Sequence, residues 1–215
     1  MNSTKTYAKT AGWSLIVMAI LAGFAYGYVH NTLVDPNEAR QTADNIQQSL
    51  PLFKAGILAW ILIWVSDLLV TWAFYHFFKP VHPSRSLLTA ALRLVYTLVL
   101  GGAIYYLVRV AANPTASDLM ESLAAFESVW SLGLIVFGGH LLGLGLLAQK
   151  DKRVPGIWTR LLLIAGPSYS FLALSDLTDW IPAAQLATIE MILTLPMTLS
   201  ELGLAIWMLV RGVRV

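Results

Sequence analysis

Four side chains within the apolar stretches of the sequence have the chemistry of a polar site inside a membrane: Asp67, Arg93, His140 and Glu201. The two carboxylates can accept protons, the guanidinium can serve as an anion anchor or counter-ion, and the imidazole can act as a hydrogen-bonding switch. A charged side chain that faces lipid costs roughly 2.5–3.5 kcal/mol on insertion scales. We therefore expect these four side chains to face the interior of a helix bundle and to find partners there.

The depth of the four residues predicts that they meet in one layer. Counted from the helix ends nearest the chain termini, Arg93 lies about 6 residues in, His140 about 8, Glu201 about 9 and Asp67 about 11, which spans roughly 9–17 Å of helix. Arg93 cannot neutralise both carboxylates, so either His140 is protonated or one carboxyl keeps its proton. Two structural alternatives stay open: an Asp67–Arg93 pair that only holds helices together, and a His140 hydrogen bond across a helix interface.

A second polar stripe continues along the face of Glu201. Glu190, Thr194 and Thr198 precede it at spacings of 4, 4 and 3 residues, which places all four on one side of a helix. Pro196 lies within this helix and Pro167 within the preceding one, and each removes a backbone hydrogen bond. The sequence therefore predicts two helices that break near the middle of the membrane.

Composition limits the class of protein that must position these residues. Hydrophobic residues make up 57% of the 215, and charged residues only 12%, about half of the roughly 25% usual in soluble domains. With 14 basic and 12 acidic residues, no basic face is available for nucleic acid. The chain has no cysteine and four histidines at different depths, and it lacks the known nucleotide-binding and hydrolase motifs. No cofactor or metal site is predicted.

The fold class that follows is an all-α transmembrane bundle. About 20 apolar residues cross the hydrocarbon core of a bilayer, and six stretches of the chain are long enough. We treat residues 1–215 as a single transmembrane domain with spans at about 10–34, 52–78, 87–110, 124–148, 157–174 and 182–210.

Basic residues predict the orientation of this bundle, since cytoplasmic loops are enriched in Lys and Arg. With six spans, three Lys and Arg lie on the side opposite the termini: Arg40, Lys54 and Arg109. Nine lie on the side of the termini: Lys5, Lys9, Lys79, Arg85, Lys150, Lys152, Arg153, Arg211 and Arg214. Both termini are therefore expected in the cytoplasm, and the protein in the inner cell membrane, with the lipid bilayer as its partner.

The first outer connection is predicted to contain a short amphipathic helix on the membrane surface. Asp35 and Pro36 have the types and order of a helix cap and first turn. Apolar side chains then recur at helical spacing in a polar segment, at Ala39, Ala43, Ile46 and Leu50.

Several segments together resemble one known family. They are KTAGW (9–13), DLLVTWAFY (67–75), FKPV (78–81), RLV (93–95), GLIVFGGHLL (133–142), VPG (154–156) and GPSY (166–169). In this respect the chain is similar to the bacterial integral-membrane family described as domain of unknown function 4386, although Lys79 stands where that family tends to have Arg. The resemblance implies a compact multi-helix membrane protein and carries no established activity.

The leading functional hypothesis is a membrane protein that binds or transports a small or amphipathic solute at Asp67, Arg93, His140 and Glu201. One alternative is a membrane-embedded enzyme acting on a lipid or isoprenoid, with the same carboxylates as acid and base. Another is an accessory subunit of a membrane complex. No catalytic motif favours an enzyme, and the sequence leaves the ligand and the oligomeric state open.

Overall fold

The computed structural model describes residues 2–113, 116–178 and 180–212, and these residues are almost entirely helical. The helices are α1 (Asn2–Ala22), a π-helical stretch (Gly23–His30), α2 (Asn31–Leu33), α3 (Ala39–Gln48), α4 (Leu50–Phe78), α5 (Pro83–Ala112), α6 (Ala116–Lys150), α7 (Gly156–Thr178) and α8 (Ala183–Val210). Six helical segments are long and apolar enough to cross a membrane. The first runs from Ser3 to Leu33 through α1, the π-helical stretch and α2, and the others lie within α4 to α8.

The six spans form a ring in chain order. Each span packs against the next one along the chain, and α8 returns to pack against α1. Apolar and aromatic side chains fill the interior, where Trp60 of α4 meets Trp130 of α6 and Phe77 of α4 meets Trp207 of α8. Residues on the inner faces of several helices therefore lie within reach of one another.

Small residues bring neighbouring spans unusually close at two places. A Cβ atom on Gly166 of α7 would lie 2.7 Å from the Gly138 carbonyl oxygen and 2.8 Å from the Leu142 nitrogen of α6. One on Gly143 of α6 would lie 2.8 Å from Thr89 Oγ1 of α5. Only glycine allows these approaches, and they fix α6 between α5 and α7.

The helices differ from their predicted extents mainly at the ends. The fourth span begins at Asp118 and the fifth reaches Thr178, beyond the predicted 124 and 174, because polar residues can extend a helix past the hydrocarbon core. Helices α7 and α8 continue through Pro167 and Pro196, so the predicted breaks do not interrupt either helix. Proline removes one hydrogen bond of a transmembrane helix, and neighbouring groups can satisfy the freed carbonyl. The irregular stretch is instead the π-helix Gly23–His30, which the sequence did not predict.

The short helix α3 exists, but it begins later than its predicted cap. Asp35 Oδ1 accepts a hydrogen bond of 2.9 Å from the Asn37 N–H, and the helix starts at Ala39. A side chain that bonds its own turn in this way cannot cap the helix that follows. Helix α3 packs against α6 and buries Thr42, Ala43 and Ile46, of which the last two belong to the predicted apolar stripe.

Candidate functional site

Three of the four predicted site residues form one hydrogen-bonded cluster. Arg93 Nη2 of α5 lies 2.5 Å from Asp67 Oδ1 of α4, and Arg93 Nη1 lies 3.2 Å from His140 Nε2 of α6. All three residues have no exposed surface. We call Asp67, Arg93 and His140 the polar cluster; it joins three consecutive spans.

The hydrogen bonds of His140 define its protonation. Its Nδ1 lies 2.8 Å from the Thr89 carbonyl oxygen, an acceptor, so Nδ1 carries the proton and donates. Nε2 faces the guanidinium of Arg93, which can only donate, so Nε2 must accept with its lone pair. His140 is therefore a neutral imidazole held between two fixed partners. Of the two charge arrangements considered from the sequence, this geometry disagrees with a protonated His140.

Aromatic rings cover the polar cluster and separate it from open space. The guanidinium carbon of Arg93 lies 5.3 Å from the ring centre of Phe137 and 6.0 Å from that of Phe74, within the range of cation–π attraction. Asp67 Oδ2 and Arg93 Nε are buried and make no hydrogen bond within the described part of the chain. None of the three cluster residues is among the described lining residues of the cavity that contains Glu201, so the cluster has the features of an internal tie between helices.

Glu201 lies apart from the polar cluster and has its own partner. Its Oε1 accepts a hydrogen bond of 2.8 Å from the Tyr169 hydroxyl of α7, and the residue is only partly buried. Phe137 connects the two regions, because its ring contacts Arg93 on one side and Tyr169, at 5.1 Å, on the other. Glu201 was predicted to join the other three residues, but its direct contact is with a tyrosine.

Glu201 and Tyr169 lie on the wall of a cavity enclosed by all six spans. The cavity has a volume of about 320 Å³, at the small end of the range for ligand pockets. Aliphatic residues and Thr198 line part of it, and six aromatic side chains line much of the rest. These aromatic residues are Tyr26, Trp60, Tyr96, Trp130, Phe137 and Tyr169.

The aromatic lining is held in place by ring contacts between helices. Trp130 of α6 meets Trp60 of α4 and Tyr26 of the π-helical stretch edge to face, each at 5.1 Å, and Tyr96 packs against Phe137 at 4.7 Å. The buried Trp130 indole N–H makes no hydrogen bond among the described residues, although the Tyr96 hydroxyl lies nearby. Glu201 is the one ionisable acid or base among the described lining residues, apart from the tyrosines.

The cavity reaches the surface of the bundle between the first and sixth spans. Of its lining residues, Ala19, Tyr26 and Thr198 are exposed, and all three lie on these two spans. The two spans touch near the chain termini, where Gly12 packs against Ala205 and Leu209. Further along, no described residue from 184 to 199 of α8 is buried. The spans therefore diverge, and the gap lies near the middle of both helices.

The second polar stripe lies along the exposed half of α8. Glu190 and Thr194 are exposed, while Thr198, also exposed, lines the cavity one turn before Glu201. Glu127 of α6 belongs to neither group, since it is half-exposed and lies 3.1 Å from His30 Nε2. Thr198 alone of the stripe joins the site.

Sequence reasoning missed the aromatic part of the site. Tryptophan and tyrosine in membrane helices are ordinarily interfacial or packing residues, and the exposed Trp180 fits that pattern. The positions of Trp60, Trp130 and Tyr169 carry no distinguishing motif, because any transmembrane helix can hold an aromatic residue on any face. Only Trp60 gave a signal, since it shares a helix face with Asp67. Within the described ranges, no three His, Asp or Glu side chains are grouped closely enough to hold a metal ion.

The arrangement of six apolar helices around a buried polar cluster defines a multi-pass membrane protein. A family profile described as "Domain of unknown function (DUF4386)" matches residues 10–212, nearly the whole chain. The chain therefore belongs to this family, as the resemblance in its motifs implied.

An uncharacterized protein from Archaeoglobus fulgidus is 32% identical over 114 residues, which cover 53% of this chain. The match spans 62% of the length of that archaeal protein. No solved structure matches the chain.

Proposed function

We propose that this protein binds a small amphipathic molecule in the aromatic cavity, with Glu201 and Tyr169 as the polar end of the site. The observation that carries the proposal is a cavity of about 320 Å³, open only partly to the surface, at which a carboxylate, a hydroxyl and several aromatic rings converge. A pocket with mostly apolar walls and a few placed polar groups is the usual form of a small-molecule site.

Of the four residues predicted from the sequence, the proposed site retains Glu201 and assigns the other three a supporting role. Asp67, Arg93 and His140 are hydrogen-bonded to one another and have no surface from which to contact a ligand. They hold α4, α5 and α6 together, and Phe137 transmits that support to the wall of the cavity. The ligand contacts are the aromatic lining, Tyr169 and Glu201.

The gap between the first and sixth spans suggests how a ligand reaches the cavity. Ala19 and Thr198 lie near the centres of spans Ser3–Leu33 and Ala184–Val210, at the depth of the acyl chains. An amphipathic molecule dissolved in the bilayer would meet the opening directly, with its apolar part already in a suitable solvent.

Two probes that share one benzyl group test this function: benzyltrimethylammonium and its neutral carbon isostere neopentylbenzene. With the purified full chain in maltoside micelles, we expect at least one probe to raise the melting temperature in a saturable manner. Replacing the half-buried Ala22 by Phe should abolish the shift, because Ala22 lines the cavity and the added ring fills it. Val17→Phe places the same ring on an exposed face of the same helix and should leave the shift unchanged. Equal shifts in wild type and Ala22→Phe, or none with either probe, would contradict the proposal.

An enzymatic role for the same cavity is less well supported. Acid–base chemistry on a lipid needs two titratable groups within reach of the reacting atoms. Of the described lining residues, only Glu201 and the tyrosines can exchange a proton, and a tyrosine hydroxyl is a very weak acid at neutral pH. Asp67 and His140 are enclosed elsewhere. For an accessory subunit, co-purification of a stoichiometric partner in mild detergent would be the sign.

We infer further that both chain termini lie in the cytoplasm of a bacterial cell and that the protein occupies the inner membrane. The support is the excess of Lys and Arg on the side of the termini; Arg214, one of those counted, lies outside the described residues. In intact spheroplasts a membrane-impermeant maleimide should label Glu38→Cys and spare Lys152→Cys. The reverse pattern would overturn the orientation.

A further inference from the structure

We propose that the ligand of the aromatic cavity is a lipophilic organic cation, an ammonium group that carries an apolar substituent. This inference rests on the proposed function and specifies the charge of the molecule bound. It follows from the sign of the charges around the cavity and from the kind of surface that its walls present.

The ionisable groups near the cavity leave one carboxyl group without a cation of its own. Arg93 and Asp67 both lie close enough to Glu201 to act on it electrostatically, but they are paired with each other at 2.5 Å. His140 is neutral because it donates from Nδ1 and accepts at Nε2. The carboxyl group of Glu201 is thus the one acid of this group without a partner of opposite charge, and it reaches the cavity surface. A cationic ligand would supply that counter-charge.

The walls of the cavity suit a cation better than an anion. The faces of aromatic rings carry negative electrostatic potential, and ammonium ligands are recognised by cages of Trp, Tyr and Phe rings. Trp60 with Trp130 and Tyr96 with Phe137 line the space as two pairs of contacting rings. No lysine or arginine is among the lining residues that the structure describes, so an anion would find the Tyr169 hydroxyl and the Trp130 N–H but no positive charge.

The hydrogen bond on Glu201 leaves room for a cation beside the carboxylate. Tyr169 occupies Oε1 alone, whereas a carboxylate has about four acceptor positions over its two oxygens. A quaternary ammonium needs no hydrogen bond and can rest between the carboxylate and the rings. A primary or secondary ammonium could also donate to the free oxygen.

The paired probes measure this preference, with Glu201→Gln as the deciding variant. Glutamine keeps an acceptor for Tyr169 but removes the charge. We expect the substitution to weaken benzyltrimethylammonium binding at least about tenfold, as loss of one desolvated ion contact implies. Neopentylbenzene binding should change by less than about twofold, since its contacts are apolar. Partition into micelles is the same for both proteins, so the comparison between variants does not depend on it.

Two further variants separate the effect of the Glu201 charge from changes in side-chain shape or in net charge. Glu201→Asp retains the charge and should retain the preference for the ammonium probe. Glu121→Gln removes a negative charge from an exposed position near the start of α6, away from the cavity wall. This variant should change the binding of neither probe. If Glu201→Gln weakens both probes equally, or weakens neither while both still bind, the cation inference is overturned and the proposed function survives. If neither probe binds to the wild type, the proposed function itself fails.

Discussion

Arg93 is the residue on which the interior of the bundle depends most directly. It has no exposed surface and bonds Asp67 and His140 on two neighbouring helices, with aromatic rings on either side. A buried ion pair is costly to break, because the remaining charge keeps its desolvation penalty and loses its partner. Replacing Arg93 should therefore lower the stability of the protein more directly than it weakens ligand binding.

Replacing Arg93 by Met should destabilise the protein by about 3–5 kcal/mol, since Asp67 is left buried without a counter-charge. The double variant Asp67→Leu with Arg93→Met should be more stable than Arg93→Met alone. Unfolding in mixed maltoside and dodecyl sulfate micelles measures both. Arg153→Met is a comparison in a pair with Asp151 whose guanidinium is partly exposed, and it should cost less than Arg93→Met because water reaches that pair. A double variant that is no more stable than Arg93→Met alone would show that the pair is not coupled.

The proposed polar end of the site depends on the contact between Glu201 and Tyr169. The carboxylate and Tyr169 lie 32 positions apart in the sequence, on α8 and α7, and they meet at 2.8 Å. Helical spacing placed Glu201 on a polar face, and its depth was predictable from the length of the span. The identity of its partner was not, because that depends on which neighbouring helix faces it.

At the scale of helices, the crossing of α6 and α7 sets the position of Tyr169. These helices touch backbone to backbone at Gly138 and Gly166, and Tyr169 follows one turn after Gly166. The same contact leaves no space for a side chain. The geometry of the site therefore depends on two residues that have no functional group.

Gly166→Ala should lower the stability by about 1–3 kcal/mol, as overpacking does in close-packed interiors. The added Cβ would meet the α6 backbone, which cannot move aside as a flexible side chain can. Gly139→Ala is the control, because its nearest contact would be Leu92 Cδ1 at 3.9 Å. That control should be neutral or slightly stabilising, and the same unfolding assay compares the two. Equal stability of both variants would show that the helices are free to separate.

The π-helical stretch Gly23–His30 is the element furthest from what the sequence predicted. It carries Tyr26, which reaches the cavity and stacks against His30 at 4.9 Å. A Cβ atom added to Gly23 or Gly27 would meet no heavy atom of another element within 4 Å in the described chain, so these glycines leave the wall beside the gap thin. Stretches of this kind often occur at functional sites.

At the scale of the whole molecule, the ring of six spans is closed at one end and open in the middle. Contacts between α1 and α8 occur near the chain termini, where Gly12 meets Ala205. The exposed half of α8 leaves Thr198 at the edge of the cavity. If ligand passes through this gap, fastening the two spans together at that level should block it.

The pair Ala19→Cys with Thr198→Cys, joined by a short bismaleimide, should abolish the thermal shift by benzyltrimethylammonium added after the reaction. The chain has no cysteine of its own, so only the introduced thiols react. As control, Ala8→Cys with Gly212→Cys fastens the same spans where they already touch. A Cβ on Gly212 would lie 3.4 Å from that of Ala8, close to disulfide distance. Loss of binding with the control pair, or retention with the first pair, would rule out the lateral route.

The sequence by itself determined the class of the molecule and much of each helix. Apolar length and the scarcity of charge required membrane spans, and helical periodicity showed that Asp67, Arg93 and His140 each occupy an inward face. Burying a charge in an apolar medium is so unfavourable that the three had few alternatives to meeting. Each of these constraints acts within one helix or on every buried charge equally, so it can be deduced from a single sequence.

Only the tertiary structure decided which helices are neighbours and at what height their side chains meet. Ring order, the Gly138–Gly166 crossing and the shift of backbone in the π-helical stretch separate Glu201 from the polar cluster and pair it with Tyr169. The same packing assembles six aromatic residues into a cavity and leaves a gap between the first and sixth spans. Such features arise from shape complementarity between surfaces distant in the chain, where small differences in packing choose among arrangements with the same periodicity.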